Sequence, residues 1–251
     1  MTVATDTWIR CFHPAAEAPV RLVCFPHAGG SASFFHPVSG ALTPRVEVLA
    51  VQYPGRQERR LEPLIDSVHD LADAVTEVLR PWHGGPLALF GHSLGASVAF
   101  EVAARLERLG TPPVALYASG RRAPSLPREE SLHLSDDEGL IARLSELEGT
   151  DTRVLADEEI LRMVLPAIRG DYKAAETYRL RGETVLSAPV VCLTGADDPQ
   201  VTREEAAGWR AHTSGPFVLR TFPGGHFYLT ERPTEVVAAI EDDLRARLAP
   251  R

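Results

Sequence analysis

The chain reads as an α/β protein built on a mostly parallel sheet. Short apolar runs alternate with amphipathic helical stretches from residue 20 to about 118, and again from 188 onward. One of those runs, Leu87-Ala88-Leu89-Phe90, ends in Gly91-His92-Ser93-Leu94-Gly95 and passes straight into a helical repeat. That is the strand–turn–helix setting a G-x-S-x-G turn requires. Between 123 and 187 the alternation stops and only helical patterns occur, which marks a helical insert between two strands.

Taken in order, residues 1–19 form a loose arm ending in Pro14-Ala15-Ala16-Glu17-Ala18-Pro19. Residues 20–25 read as a strand that runs into Pro26-His27-Ala28-Gly29-Gly30, a small-residue loop opening a helix over 34–42. A strand at 46–52 leads through Tyr53-Pro54-Gly55-Arg56 and a polar loop to a helix over 66–80, where Val68, Leu71, Ala72, Val75, Val78 and Leu79 make one stripe. After the run at 87, Leu94, Val98, Val102 and Leu106 recur every fourth position, and Gly110 stops that helix. A strand at 114–118 ends at Ser119-Gly120-Arg121-Arg122.

In the insert, Ser135-Asp136-Asp137-Glu138 reads as a capping box ahead of Leu140, Ile141, Leu144 and Leu147. A second helix starts near 157 and is kinked at Pro166; a third covers 171–178. Strands at 188–193 and 216–222 and helices at 201–212 and 235–248 complete the chain. Strand–helix alternation of this kind implies right-handed crossovers between parallel strands.

Composition narrows the function. With 251 residues, 44% hydrophobic and 24% charged, the chain can bury a sizeable core. A net charge of −8 argues against nucleic acid as the main partner. No run of about 18 apolar residues predicts a membrane span, and residues 1–19 carry no signal-peptide core. Cys11, Cys24 and Cys192 are far apart; the last two lie in strand-like runs and read as small buried hydrophobes, so a reduced, cytoplasmic setting fits. No G-x-G-x-x-G supports dinucleotide binding.

The turn at 91–95 points to nucleophilic catalysis. Gly91 and Gly95 let strand and helix pass closely, leaving Ser93 at the apex with the N–H groups of a helix start behind it. A serine hydroxyl needs a base and a group that orients the base. His226, in Pro223-Gly224-Gly225-His226-Phe227, follows the last strand and so lies on the carboxyl edge of the sheet, where Ser93 also lies. His27 and His92 share that edge and read as packing or loop-shaping residues. The orienting acid belongs between serine and histidine in chain order. Asp198 is favoured over Asp197 in Gly195-Ala196-Asp197-Asp198-Pro199, because Pro199 stiffens the turn that holds it. Leu94, the residue after the serine, supplies one oxyanion N–H, and Ala28 in the small-residue loop supplies the other.

With those positions in place, the chain resembles the α/β-hydrolase fold and, more narrowly, the stand-alone type II thioesterases of polyketide and nonribosomal peptide synthesis. The matching pieces are the loop at 25–30, Gln52-Tyr53-Pro54-Gly55-Arg56, the serine turn, Ser119-Gly120-Arg121-Arg122-Ala123-Pro124, Asp171-Tyr172-Lys173-Ala174-Ala175-Glu176 and the loop at 223–227. The resemblance implies one α/β-hydrolase domain over 1–251, with helices on both faces of the sheet and a helical lid at 123–187. It implies hydrolysis of acyl thioesters from the phosphopantetheine arm of acyl or peptidyl carrier domains, clearing stalled or mis-primed groups, with no metal or dissociable cofactor. A carboxylesterase, an acyltransferase or a non-catalytic carrier-binding module are the rivals. Arg56, Arg59, Arg60, Arg121 and Arg122 sit on carboxyl-edge loops, where they either steer an acidic carrier domain or belong to an ordinary ion-paired surface.

Overall fold

A computed structural model describes residues 7–146 and 158–249. Seven strands form one sheet: β1 (Ile9–Arg10), β2 (Arg21–Phe25), β3 (Glu47–Val51), β4 (Leu87–His92), β5 (Ala115–Ser119), β6 (Val190–Gly195) and β7 (Phe217–Phe222). They are ordered β1-β3-β2-β4-β5-β6-β7, and every pairing except β1 with β3 is parallel. The short β1 is an addition to the expected arm. Its two residues pair with Ala50 and Val51 at the sheet edge, with too little periodic pattern to be read from sequence.

Eight α-helices are described: α1 (His36–Leu42), α2 (Val68–Val78), α3 (Leu94–Arg108), α4 (Asp137–Glu146), α5 (Glu158–Thr177), α6 (Arg203–Ala207), α7 (Tyr228–Glu231) and α8 (Pro233–Leu248). Both faces of the central strands are buried because helices cover both. Val23, Leu89 and Leu116 pack with α2 and α3, whereas Leu22, Ala88 and Tyr117 pack with α1 and α8. Strands covered on both sides need no polar alternation, which is why they read as continuous apolar runs. Cys24 and Cys192 are buried in these strands as free thiols.

The insert differs from expectation in three places. Asp136, not Ser135, caps α4, accepting the Gly139 N–H at 2.9 Å. The expected second and third helices are one, α5, which continues past Pro166. Proline removes a single N–H, and the buried Leu165 and Ile168 hold the flanking turns against α4 through Leu140 and Leu144. Leu147 and the expected helix start at 157 lie outside the described residues. Elsewhere, the helix expected over 201–212 divides into α6 and a 3₁₀ segment at Gly208–His212.

Because the strands run parallel, the loops after β2, β4, β5, β6 and β7 all emerge on one edge of the sheet. The insert leaves from that edge after β5 and returns before β6.

Candidate active site

The turn between β4 and α3 places Ser93 at φ 53°, ψ −117°. A positive φ is costly for a residue with a side chain, and two glycines make the geometry reachable. A Cβ on Gly91 would lie 2.1 Å from the Gly95 carbonyl oxygen, and one on Gly95 would lie 2.1 Å from the Phe25 carbonyl oxygen. The Ser93 N–H donates to the Ser119 carbonyl at 2.8 Å, fixing the turn to the end of β5. Leu94 opens α3, so its N–H has no carbonyl four residues back within the helix.

His226 and Asp198 meet on this edge. The imidazole Nδ1 donates to both carboxylate oxygens, at 3.0 Å to Oδ1 and 2.9 Å to Oδ2. The Asp198 side chain is fully buried and that of His226 nearly so. Oδ1 also accepts the Gln200 N–H at 2.8 Å. Asp197 is exposed, with its own N–H on the Gly224 carbonyl. The competition between the two aspartates is therefore settled in favour of Asp198 as the histidine's partner.

Ser93, His226 and Ala28 line one cavity of about 360 Å³, together with Leu132, Leu144 and Tyr172 of the insert. No hydrogen bond joins Ser93 to His226. Such contacts are commonly loose before substrate binds and tighten around the reacting group.

Two further imidazoles flank His226. The His92 ring lies 5.0 Å from that of His226, and His27 lies 6.0 Å from His92. Burial drives the His27 pKa down to about 3, assisted by the positive fields of His226 and Arg56. Burial, then His226 and His27, push His92 well below the ordinary histidine range. Both are therefore neutral at working pH, as packing residues should be. The His92 Nδ1 is hydrogen-bonded to the Ser119 hydroxyl at 2.9 Å, which in turn meets the Tyr228 hydroxyl at 2.6 Å. Among the described residues no group of three or more His, Cys, Asp and Glu is placed to hold a metal ion.

The profile of the thioesterase domain matches residues 20–244. The chain belongs to the thioesterase family. This thioesterase is 54% identical to thioesterase PikA5 of Streptomyces venezuelae over 246 residues, covering 97% of this chain and 88% of the relative. It superposes on the type II thioesterase BorB from the borrelidin biosynthetic cluster with a TM-score of 0.91 and 52% identity, covering 97% and 100% of the two chains. On YbtT, a type II thioesterase from the yersiniabactin NRPS/PKS pathway, the values are 0.87, 29%, 97% and 100%. The protein is thus a type II thioesterase of α/β-hydrolase fold, a serine hydrolase acting on thioesters, of the kind that serves polyketide and nonribosomal peptide pathways.

The carboxyl-edge arginines of the thioesterase are mostly spent inside it. Arg56, Arg59 and Arg122 are buried in ion pairs with Asp171, Glu62 and Glu130, and half-buried Arg121 donates to the Ala175 carbonyl. Of the five, Arg60 is exposed and half-buried Arg121 meets a neutral carbonyl, so these two keep their charge for the steering role read from sequence. A guanidinium on a loop looks identical in sequence whether its partner is a distant carboxylate or solvent. The Arg56–Asp171 pair also went unread as part of the site. Its two residues stood in matching motifs, but nothing local joins positions 115 apart.

Proposed function

We propose that Ser93 is the nucleophile, His226 the general base and Asp198 its orienting acid. In this reading Ala28 and Leu94 N–H groups stabilise the oxyanion. His226 Nε2 removes the Ser93 proton as Oγ attacks the thioester carbonyl. The tetrahedral oxyanion collapses, the C–S bond breaks, and the imidazolium returns its proton to the departing thiol. Water then attacks the acyl-serine with His226 again as base, releasing the free acid and restoring Ser93.

The substrate we infer is an acyl group on the phosphopantetheine arm of an acyl or peptidyl carrier domain, and the role is removal of stalled or mis-primed groups in the cytoplasm. The arm belongs to the substrate, and the chemistry calls on no dissociable cofactor. The chain is read as one domain over 1–251 whose insert, 123–187, acts as a lid. The observation that carries the reading is the bidentate Asp198–His226 contact facing the same cavity as Ser93 beneath insert residues.

The test has two arms. A fluorophosphonate probe should label the wild-type protein and not Ser93→Ala; equal labelling of both would refute the assignment. Rates on one acyl group carried by a carrier domain, by coenzyme A and as a p-nitrophenyl ester should rank the carrier thioester first. A faster ester would make the protein an esterase, and acyl transfer to an added alcohol or amine in preference to water would make it a transferase.

A further inference from the structure

The loop that carries Ala28 is held from outside the sheet. Asp171, in α5, accepts the Gly29 N–H through Oδ2 at 2.7 Å. The same carboxylate takes a fork from Arg56, Nη1 to Oδ2 and Nη2 to Oδ1, both at 2.8 Å. Arg56 Nη1 also donates to the Gly30 carbonyl at 3.0 Å, and its Nε to the Pro54 carbonyl at 3.3 Å. The two side chains are 9% and 3% exposed. One turn earlier on α5, Ile168 lies so close to Gly29 that a Cβ there would sit 3.0 Å from Ile168 Cγ1. The peptide link immediately after Ala28 is therefore gripped by one helix of the insert and one turn of the core.

A buried ion pair is a poor source of net stability, because its desolvation cost offsets the attraction, and a well-packed apolar pair serves as well. What the fork supplies instead is direction, since two parallel N–H···O contacts set angle as well as distance. Charge gives a second reason for the pairing. A lone carboxylate next to a developing oxyanion would repel it. Arg56 cancels that charge while leaving Asp171 free to accept the Gly29 N–H.

We propose that Arg56 and Asp171 are positioning residues that aim the Ala28 N–H at the oxyanion, and that this makes the oxyanion hole depend on α5 being seated. The proposal rests on the reading of Ala28 as an oxyanion donor. A seated insert and a competent oxyanion hole are then one state: lifting α5 withdraws the acceptor from Gly29 and frees the loop.

The experiment uses the full chain and three variants: Asp171→Asn, Arg56→Lys, and the double variant Arg56→Met with Asp171→Leu. Turnover is measured on a short-chain acyl N-acetylcysteamine thioester. Inhibition is measured with the matching trifluoromethyl ketone, whose serine adduct carries an oxyanion, and with the matching thioether, which cannot form one. Each single variant should lose about tenfold to a hundredfold in kcat, the scale of a misaimed group, with KM within about threefold. Ketone affinity should weaken in proportion to kcat/KM, and thioether affinity should not move.

The apolar double variant should melt within a few degrees of the wild type and remain as slow as the singles. Recovery of kcat in that variant would show a merely structural pair and overturn the proposal. So would a loss of kcat with unchanged ketone affinity. If the wild-type protein binds the ketone no more tightly than the thioether, the oxyanion-hole reading itself fails, and the positioning proposal falls with it.

Discussion

Asp198→Asn changes one atom of the proposed triad and tests it directly. Both oxygens of Asp198 now face His226 Nδ1, and Oδ1 also accepts the Gln200 N–H. An amide keeps one acceptor oxygen and replaces the other with an NH₂ donor, so it cannot offer Nδ1 an acceptor at both positions. With its oxygen toward Gln200, the NH₂ faces Nδ1, which must then be unprotonated. The ring proton moves to Nε2, and His226 can no longer accept a proton from Ser93. With the amide turned the other way, two N–H donors confront each other in a fully buried place.

The lost charge also has a size. A carboxylate 2.9 Å from the imidazolium that forms in the transition state is worth roughly 6 kcal/mol at an effective dielectric constant of about 20. That corresponds to a rate loss on the order of 10⁴, the same scale as the tautomer effect known for serine triads. The assay is kcat/KM by thiol release, with the melting temperature as the check on folding. Asp197→Asn, at the exposed neighbour, should stay within about twofold. A folded Asp198→Asn that loses less than tenfold, or an Asp197→Asn that loses as much, would refute the reasoning.

Other outcomes follow from the same geometry. Gly95→Ala should cost about 1–3 kcal/mol, read from the urea midpoint, because its Cβ would fall 2.1 Å from the Phe25 carbonyl oxygen. Activity should fall with it as α3 and the Leu94 N–H are pushed away from β2. Ser119→Ala removes the hydroxyl between His92 and Tyr228; leaving buried polar groups unpaired should cost about 1–3 kcal/mol by the same measurement. His27 has a folded pKa of about 3 against 6.5 unfolded, so its contribution is present above about pH 6.5 and is lost as pH falls toward 3. Between pH 7 and pH 5 this one residue should account for about 2 kcal/mol of lost stability. His27→Gln should remove that part of the acid limb; an unchanged pH dependence of the urea midpoint would show that His27 is not buried neutral.

How far the sequence reached can be judged from particular residues. Strands β2 to β6 were legible because burial on both faces imposes near-continuous apolar runs, and α2 and α3 because a helix with one buried stripe repeats every three to four residues. Ser93, Leu94, Ala28, His226 and Asp198 could be proposed as a set because each follows a strand in a local motif, and a parallel sheet sends all such loops to one edge. The misses have a common cause as well. Two-residue β1 has no period to read. The caps and continuity of α4 and α5 depend on packing between them, and the destinations of the arginines depend on partners far along the chain.

The amino-acid sequence alone therefore determined the α/β architecture, the glycine-flanked serine turn and the candidate serine and histidine. These are set by periodicity and turn chemistry within a few residues of each site. Only the tertiary structure decided which aspartate meets His226, that His27 and His92 stay neutral, and that Arg56 is locked to Asp171 beneath the Ala28 loop. Those facts come from burial and from side chains brought together across long stretches of chain, and chain folding in three dimensions is what creates such neighbours.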